Sequence, residues 1–145
     1  MFSRIVATVL FIGYFPFAPG TVCCAVVMIF VGLIKPSWIG IFTVLVISFL
    51  VGTFASERVE KKSKKRDPSY IVIDEFVGYL ISIAFIPISW KNLLVAFILF
   101  RIFDIVKPPP IRQIEGKLKG GLSIMVDDIV AGLITNVLLR IFLML

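Results

Sequence analysis

The sequence contains no histidine and only two cysteines, Cys23 and Cys24, which are adjacent. The absence of histidine excludes Ser-His-Asp and Cys-His catalysis, phosphohistidine intermediates and every metal site built on imidazole ligands. Both cysteines lie in an apolar stretch, and neither begins a Cys-x5-Arg loop, so we interpret them as small buried hydrophobic residues. Any chemistry therefore falls to carboxylates, hydroxyls, lysine and arginine, with a hard, oxygen-preferring cation as the natural cofactor.

Charge is also scarce along the chain. Charged residues make up 17% of the 145 positions, against about 25% in an average soluble domain. Hydrophobic residues make up 59%, and the mean hydropathy is +1.07. This composition excludes an ordinary soluble globule, a disordered chain and a disulfide scaffold. The length predicts a single domain over residues 1–145, and the composition predicts a small polytopic membrane protein.

Apolar segments separated by polar turns predict an all-α bundle of about four to five membrane-embedded helices. A short amphipathic helix is expected before them, within residues 1–12. The expected embedded segments are residues 21–34, 37–56, 70–89, 93–106 and 120–145. Because a crossing needs about 20 residues, the first of these segments either spans a thinned bilayer or enters it as a re-entrant piece.

Basic residues are concentrated in two polar segments, residues 57–69 and 107–119, which hold ten of the fifteen lysines and arginines. The positive-inside rule places both segments in the cytoplasm. The turns at residues 35–36 and 90–92 carry one lysine each and are expected on the opposite side. We expect the basic run from Arg58 to Arg66 to bind anionic membrane lipids.

Five of the nine acidic residues lie inside apolar segments, where a carboxylate is costly. In the predicted topology Asp74 and Glu75 begin a helix that leaves the cytoplasm, Asp104 ends a helix that returns, and Asp127 and Asp128 begin another that leaves. The three clusters are therefore predicted to meet at one depth near the inner surface, on the same side as the turn at residues 16–21.

The basic neighbours of Asp104 suggest what such a cluster does. Arg101 and Lys107 each lie about one helical turn from Asp104, so all three share roughly one face. Carboxylates beside arginine and lysine are typical of a Mg²⁺-phosphate site, in which oxygen ligands hold the cation and guanidinium groups bind phosphate. The alternative is a structural set of buried ion pairs that includes Arg112.

Three smaller residues are interpreted from their positions. Gly78 and Gly132 each lie four residues beyond a carboxylate and are expected to let neighbouring helices approach closely. Thr21 either caps the helix that follows the proline-rich turn or contacts phosphate.

Four stretches, read together, resemble the bacterial phosphatidylglycerophosphatase A family. They are residues 17–21 (FAPGT), 73–78 (IDEFVG), 100–112 (FRIFDIVKPPPIR) and 120–132 (GGLSIMVDDIVAG). The resemblance covers most of the chain and implies a Mg²⁺-dependent phosphatase of the bacterial cytoplasmic membrane. Such an enzyme removes the terminal phosphate of phosphatidylglycerophosphate and yields phosphatidylglycerol. The family's fold, a central helix surrounded by others, is also implied; no nucleic-acid partner is expected, and a homo-oligomer is left open.

The resemblance also carries roles to individual residues. The expected metal ligands are Asp74, Glu75, Asp104 and Asp128. The expected substrate-binding residues are Thr21, Arg101, Lys107 and Arg112. The expected catalytic residues are Asp104, Asp127 and Asp128, one of which either activates water or attacks phosphorus directly. A different class, a small ion or metal transporter, predicts carboxylates spread along a pathway at mid-membrane depth.

Overall fold

The computed structural model describes residues 1–109, 111 and 120–144, and these residues contain helices and turns but no strand. A short 3-10 turn, Ile12–Tyr14, follows the first helix. The α-helices are α1 (Phe2–Ala7), α2 (Pro19–Ile34), α3 (Trp38–Ser63), α4 (Ile73–Ile83), α5 (Trp90–Val106) and α6 (Gly121–Met144). The described part of the chain is therefore all-α, as the sequence predicts.

Helix α4 lies at the centre of the bundle and contacts α2, α3, α5 and α6. Eight of its 11 residues are buried. Most of its side chains therefore pack against protein, which agrees with the central helix implied by the resemblance.

The crossing of α4 and α6 depends on two glycines. A Cβ atom at Gly132 would lie 2.3 Å from the carbonyl oxygen of Gly78, and one at Gly78 would lie 2.7 Å from that of Asp128. Because real Cβ atoms do not approach a backbone atom so closely, no other residue fits at this crossing without a shift of one helix. The prediction that these glycines allow close helix approach is confirmed.

The number of membrane-spanning helices was overestimated. In the described chain, two helices are long and apolar enough to cross a bilayer, α3 with 26 residues and α6 with 24, and α2 is a shorter apolar helix. The predicted segment 70–89 contains only the 11-residue α4. Its helix ends at Ile83, with Ala84 as its C-cap, since Phe85 adopts a left-handed φ of 59° and Pro87 follows.

Two helix boundaries also differ from the prediction. Helix α3 continues past residue 56 to Ser63, because the glutamate and lysine residues of this polar stretch favour helix. Lys61 and Glu57 form an ion pair of 2.5 Å one turn apart within it. Helix α5 begins at Trp90 because the Ser89 hydroxyl accepts a hydrogen bond from the Asn92 N–H at 3.2 Å. Residues 90–92 are thus its first turn.

The outer surface of the bundle is strongly apolar. Within an apolar 18-residue segment of each long helix, only 22% is buried in α3 and 44% in α6. Large hydrophobic side chains along α3 are 52–80% exposed, namely Ile39, Phe42, Ile47, Leu50 and Phe54. The core helix of a soluble protein would bury these side chains. The exposed stripe indicates that the protein is membrane-associated.

Candidate functional site

A cavity of about 220 Å³ opens at the end of the bundle where α2, α4 and α6 begin and α5 ends. It is lined by Ala18, Pro19, Gly20, Asp67, Ser69, Ile71, Asp74, Glu75, Arg101, Asp104, Lys107, Asp127 and Asp128. The three carboxylate clusters that the predicted topology brings to one depth thus share one cavity, together with both predicted cations of α5.

Three carboxylates form the centre of this cavity. Asp74, Glu75 and Asp128 each offer an oxygen atom that lies within 4.8 Å of the other two. Asp74 is 8% exposed and Asp128 is 2% exposed. In addition, Asp74 Oδ1, Glu75 Oε2 and Asp128 Oδ2 are buried without a hydrogen-bond partner among the described residues. Such oxygen atoms are the ligands that a hard divalent cation prefers.

The electrostatics of this triad also favour a cation. Negative charges a few ångströms apart repel strongly where the surroundings are poorly polarisable, and an unsatisfied buried carboxylate is costly. Arg101 lies beside the triad, with its Nη1 3.9 Å from Glu75 Oε1. A divalent cation between the three carboxylates would remove the repulsion and satisfy the orphaned oxygen atoms.

Two ion pairs flank the triad. Arg101 donates a hydrogen bond to Asp104, one turn along α5, and Lys107 donates one to Asp127 of α6. Asp104 also approaches the side chain of Asp128. The cavity therefore contains three central carboxylates that could hold a metal ion. Arg101 and Lys107 lie on either side of them and could bind a phosphate group.

Local sequence explains how the carboxylates are presented. Asp74 and Glu75 occupy the first turn of α4, where unpaired backbone N–H groups favour negative charge. A Cβ atom at Gly20 would lie 2.0 Å from Glu75 Oε1 and 3.1 Å from Arg101 Nη1. With Glu75 in this position, the start of α2 therefore has room only for glycine at residue 20.

Other predicted residues lie elsewhere. Thr21 does not cap α2, because the helix begins at Pro19 with Ala18 as its N-cap, and Thr21 is not among the residues that line the cavity. Arg112 lies outside the described residues. Asp67, which is not among the predicted site residues, lines the cavity with Ser69. The sequence feature that could have indicated this position is the Asp67-Pro68 pair, which favours a turn shortly before α4.

Fold and site together define a class of protein: a small, membrane-associated helical bundle with a buried carboxylate cluster that could bind a metal ion, beside arginine and lysine. Residues 5–143 match the family model described as Phosphatidylglycerophosphatase A. The chain belongs to the phosphatidylglycerophosphatase A family.

Individual relatives agree with this assignment. The chain is 46% identical over 94 residues to a phosphatidylglycerophosphatase A of Haemophilus influenzae, covering 64% of this chain and 56% of that protein. It is 37% identical over 93 residues to the phosphatidylglycerophosphatase A of Escherichia coli, covering 63% and 54%. The aligned region thus spans only about half the length of these two relatives.

A third relative aligns along most of both chains. It is a Bacteroides thetaiotaomicron protein named "Putative phosphatidylinositol-3-phosphatase", 36% identical over 138 residues, which cover 89% of this chain and 86% of that protein. No solved structure matches the chain.

Proposed function

We propose that this chain, as a single domain over residues 1–145, is a Mg²⁺-dependent phosphatase of the bacterial cytoplasmic membrane. Its reaction is hydrolysis of the terminal phosphomonoester of phosphatidylglycerophosphate to phosphatidylglycerol and inorganic phosphate. One observation carries the proposal: a triad of carboxylates, whose buried oxygen atoms include three without a hydrogen-bond partner among the described residues, lies beside Arg101 in a chain of the phosphatidylglycerophosphatase A family.

The proposed metal ligands are Asp74, Glu75 and Asp128, with Asp104 as a further candidate. The donor set fits Mg²⁺, because it consists of carboxylate oxygens and the cavity leaves room for water. When bound, Mg²⁺ supplies a Lewis acid that polarises the phosphoryl oxygen atoms.

Arg101 and Lys107 are proposed to bind the phosphoryl group and to offset the charge that develops on it. Support comes from Arg101 Nε, which is buried without a hydrogen-bond partner among the described residues and is thus able to donate to a phosphate oxygen. Thr21 and Arg112 remain proposed substrate-binding residues on the basis of the family motifs alone.

Asp127 and Asp128 are proposed to divide two tasks. Adjacent residues point about 100° apart on a helix. Here Asp128 belongs to the carboxylate triad, while Asp127 accepts a hydrogen bond from Lys107. Asp127 or Asp104 is then the residue that takes a proton from the attacking water or attacks phosphorus itself. In the second route an aspartyl-phosphate forms as the bond to the glycerol oxygen breaks, and water later releases phosphate.

The membrane explains how the substrate reaches the site. We propose that α3 and α6 cross the bilayer and that the cavity faces the cytoplasm, because the basic end of α3 leads into Asp67 and Ser69, which line the cavity together with Lys107. The lipid tails would remain in the bilayer while the charged headgroup enters the cavity. A transporter is not favoured, since the carboxylates gather at one end of the bundle and do not follow a path through it.

A second candidate substrate is phosphatidylinositol 3-phosphate. It is favoured by the alignment to the Bacteroides relative, which extends over 89% of this chain. Both candidates carry a phosphomonoester on the headgroup of a diacyl lipid, so the same site chemistry would serve either, and only a direct comparison of the two lipids separates them.

The test is phosphate release by the purified chain in detergent, with each of the two lipids, in Mg²⁺ and in EDTA. We expect release from phosphatidylglycerophosphate that EDTA abolishes. Asp128→Asn and Asp74→Asn should each lower the rate by at least about 100-fold, because loss of a ligand costs no less than loss of its supporting residues.

The matched control is Glu57→Gln, which also removes one carboxylate but lies in the α3 ion pair with Lys61, outside the cavity. It should retain near-normal activity. Activity that survives EDTA, or that survives both aspartate substitutions, would refute the metal site. Faster release from phosphatidylinositol 3-phosphate would transfer the proposal to that substrate.

A further inference from the structure

A second, larger cavity lies between α1 and the end of α3. Its volume is about 570 Å³, and it is lined by Met1, Ser3, Arg4, Phe11, Arg58, Val59, Lys62, Ser63 and Tyr70. Tyr70 faces this cavity while its neighbours Ser69 and Ile71 line the carboxylate cavity. One stretch of chain therefore separates two cavities of opposite charge.

The charged side chains among these lining residues are all basic: Arg4, Arg58 and Lys62. Arg58 and Lys62 are one turn apart on α3 and so share a face, while Arg4 reaches the cavity from α1. Across the described residues, no carboxylate forms an ion pair with any of the three, although Lys61 on the same helix pairs with Glu57. Three cations around one cavity, none of them paired with a carboxylate of the described residues, attract an anion.

Part of the remaining wall is aromatic. Phe11 and Tyr70 both line the cavity, and Tyr14 stacks between them with ring centroids 6.3 Å and 5.4 Å away. Phe11 ends a run of three residues with left-handed φ values, 44° at Val9, 54° at Leu10 and 71° at Phe11. Such a run is strained for residues with a Cβ, and strained backbone is concentrated at functional sites.

Exposed apolar side chains lie next in sequence to the lining residues. Phe2 is 71% exposed and Leu10 is 75% exposed. Phe2 lies on the short helix α1 and Leu10 in the turn after it, and exposed aromatic and aliphatic residues of this kind insert into the interfacial region of a bilayer. A ligand that suits both features carries a negative charge for the cavity and apolar chains for the surface beside it.

We propose that this basic cavity binds the phosphate headgroup of an anionic phospholipid of the surrounding leaflet, a lipid other than the substrate. The bound headgroup joins Arg4 of α1 to Arg58 and Lys62 of α3 and so fastens the N-terminal segment to the bundle. The site is independent of the proposed hydrolysis, because no residue of the carboxylate cavity takes part.

The test is thermal unfolding of the purified full chain in uncharged detergent, followed by a thiol-reactive fluorophore. Cys23 and Cys24 are fully buried and become reactive on unfolding. The probe is short-chain phosphatidylserine, which has no phosphomonoester and is neither the proposed substrate nor its product. We expect saturating phosphatidylserine to raise the unfolding midpoint by about 3 °C or more, because a ligand of the folded state stabilises it.

The variant pair separates a site from general surface charge. Arg58→Gln/Lys62→Gln should weaken the apparent affinity about 30-fold, the equivalent of about 1 kcal/mol for each cation. Lys64→Gln/Lys65→Gln removes the same charge from the same basic run outside the cavity and should change the affinity less than about threefold. Equal losses in the two double variants, or no shift in the parent protein, would overturn the proposal.

Two further arms identify the ligand. Phosphatidylcholine of the same chain length should give no shift, and an equal shift would overturn the requirement for an anionic lipid. Inorganic phosphate alone should not reproduce the phosphatidylserine shift, and a full shift with phosphate would assign the cavity to a free anion. Because none of these unfolding measurements depends on catalysis, failure of the proposed phosphatase activity would leave their result unaffected.

A kinetic control asks whether the basic cavity is an extension of the substrate site. In uncharged detergent without phosphatidylserine, Arg58→Gln/Lys62→Gln should leave the KM for phosphatidylglycerophosphate within about twofold of the parent value. The reason is that the basic cavity and the carboxylate cavity share no lining residue. A KM raised tenfold would show that the cavity holds the substrate and would overturn the separate lipid site.

Discussion

At the scale of single residues, Gly20 determines whether Glu75 can face the other carboxylates. We expect Gly20→Ala to lower the proposed phosphatase activity and the apparent Mg²⁺ affinity by about 10- to 100-fold, as loss of a supporting residue does at other metal sites. The cause is the new Cβ, which would lie 2.0 Å from Glu75 Oε1 and push that carboxylate aside. Phosphate release as a function of Mg²⁺ concentration measures both quantities.

The fold should survive this substitution, because the displaced atom is the end of a flexible side chain. Gly40→Ala is the matched control, since the Cβ it adds meets nothing closer than 3.4 Å. Its activity should equal that of the parent protein. If Gly20→Ala kept parent activity and Mg²⁺ affinity, Glu75 would not be a ligand.

Asp128 illustrates a conflict between stability and function. In EDTA, we expect Asp128→Asn to unfold roughly 3 °C or more above the parent protein, because it removes one of three closely spaced carboxylates that repel one another. The same variant should lose the stabilisation that Mg²⁺ gives the parent protein. Thermal unfolding in EDTA and in Mg²⁺ measures both effects.

Glu57→Gln again serves as the control and should show the parent response to Mg²⁺. The contrary result would be that Asp128→Asn is destabilised in EDTA and is stabilised by Mg²⁺ as much as the parent protein. That result would contradict the assignment of Asp128 to the metal site.

The residue scale also shows what the sequence can reveal. Asp74, Asp104 and Asp128 were predicted to converge because a charge inside an apolar segment is conspicuous, and alternating helix directions bring such charges to one end. Gly20 and Asp67 were not singled out. Their importance arises from a close approach to Glu75 and from a loop that folds over the cavity, and neither contact leaves a periodic pattern in the sequence.

At the scale of elements, helix type was predictable and helix length was not. Hydropathy marked residues 70–89 as one apolar segment, but the helix α4 within it ends at Ile83. Asn136 of α6 donates hydrogen bonds of 2.9–3.1 Å to the carbonyl oxygens of Ile81, Ser82 and Ala84. The carbonyl oxygens at the end of α4 thus accept hydrogen bonds from a residue 52–55 positions away in sequence. A local sequence pattern cannot reveal such a distant partner.

The α4–α6 crossing leads to a prediction about the whole site. We expect Gly132→Ala to destabilise the fold by about 1–3 kcal/mol, because its Cβ would lie 2.3 Å from the Gly78 carbonyl oxygen and backbone cannot rotate away. Since Asp128 lies one turn earlier on α6, the helix shift should also separate it from Asp74 and lower activity. Thermal unfolding and phosphate release test the two effects.

Leu133→Ala is the control on the same helix. Leu133 is 52% exposed on the outer surface, so its truncation should change stability and activity little. Parent-like stability of Gly132→Ala would show that the two helices are not in close contact at this point.

At the scale of the whole molecule, two cavities of opposite charge lie on either side of residues 69–71. The carboxylate cavity suits a cation and a phosphate group together, whereas the basic cavity suits an anionic headgroup alone. Both are reached from the end of the bundle that holds the basic run of α3. The proposed lipid site places that end at an anionic membrane surface, and the distribution of lysine and arginine in the sequence predicts the same.

That orientation predicts which ends of α3 are accessible from each side of the membrane. We expect Ser37→Cys, before the start of α3, to react with a membrane-impermeant thiol reagent only from outside, and Lys64→Cys, after its end, only from the cytoplasm. Native Cys23 and Cys24 are fully buried and give little background. Sealed vesicles of both orientations, with the parent protein as blank, provide the measurement. Labelling of both positions from the same side would mean that α3 does not cross the bilayer, and the exposed apolar stripe along it would then require a protein partner in place of lipid.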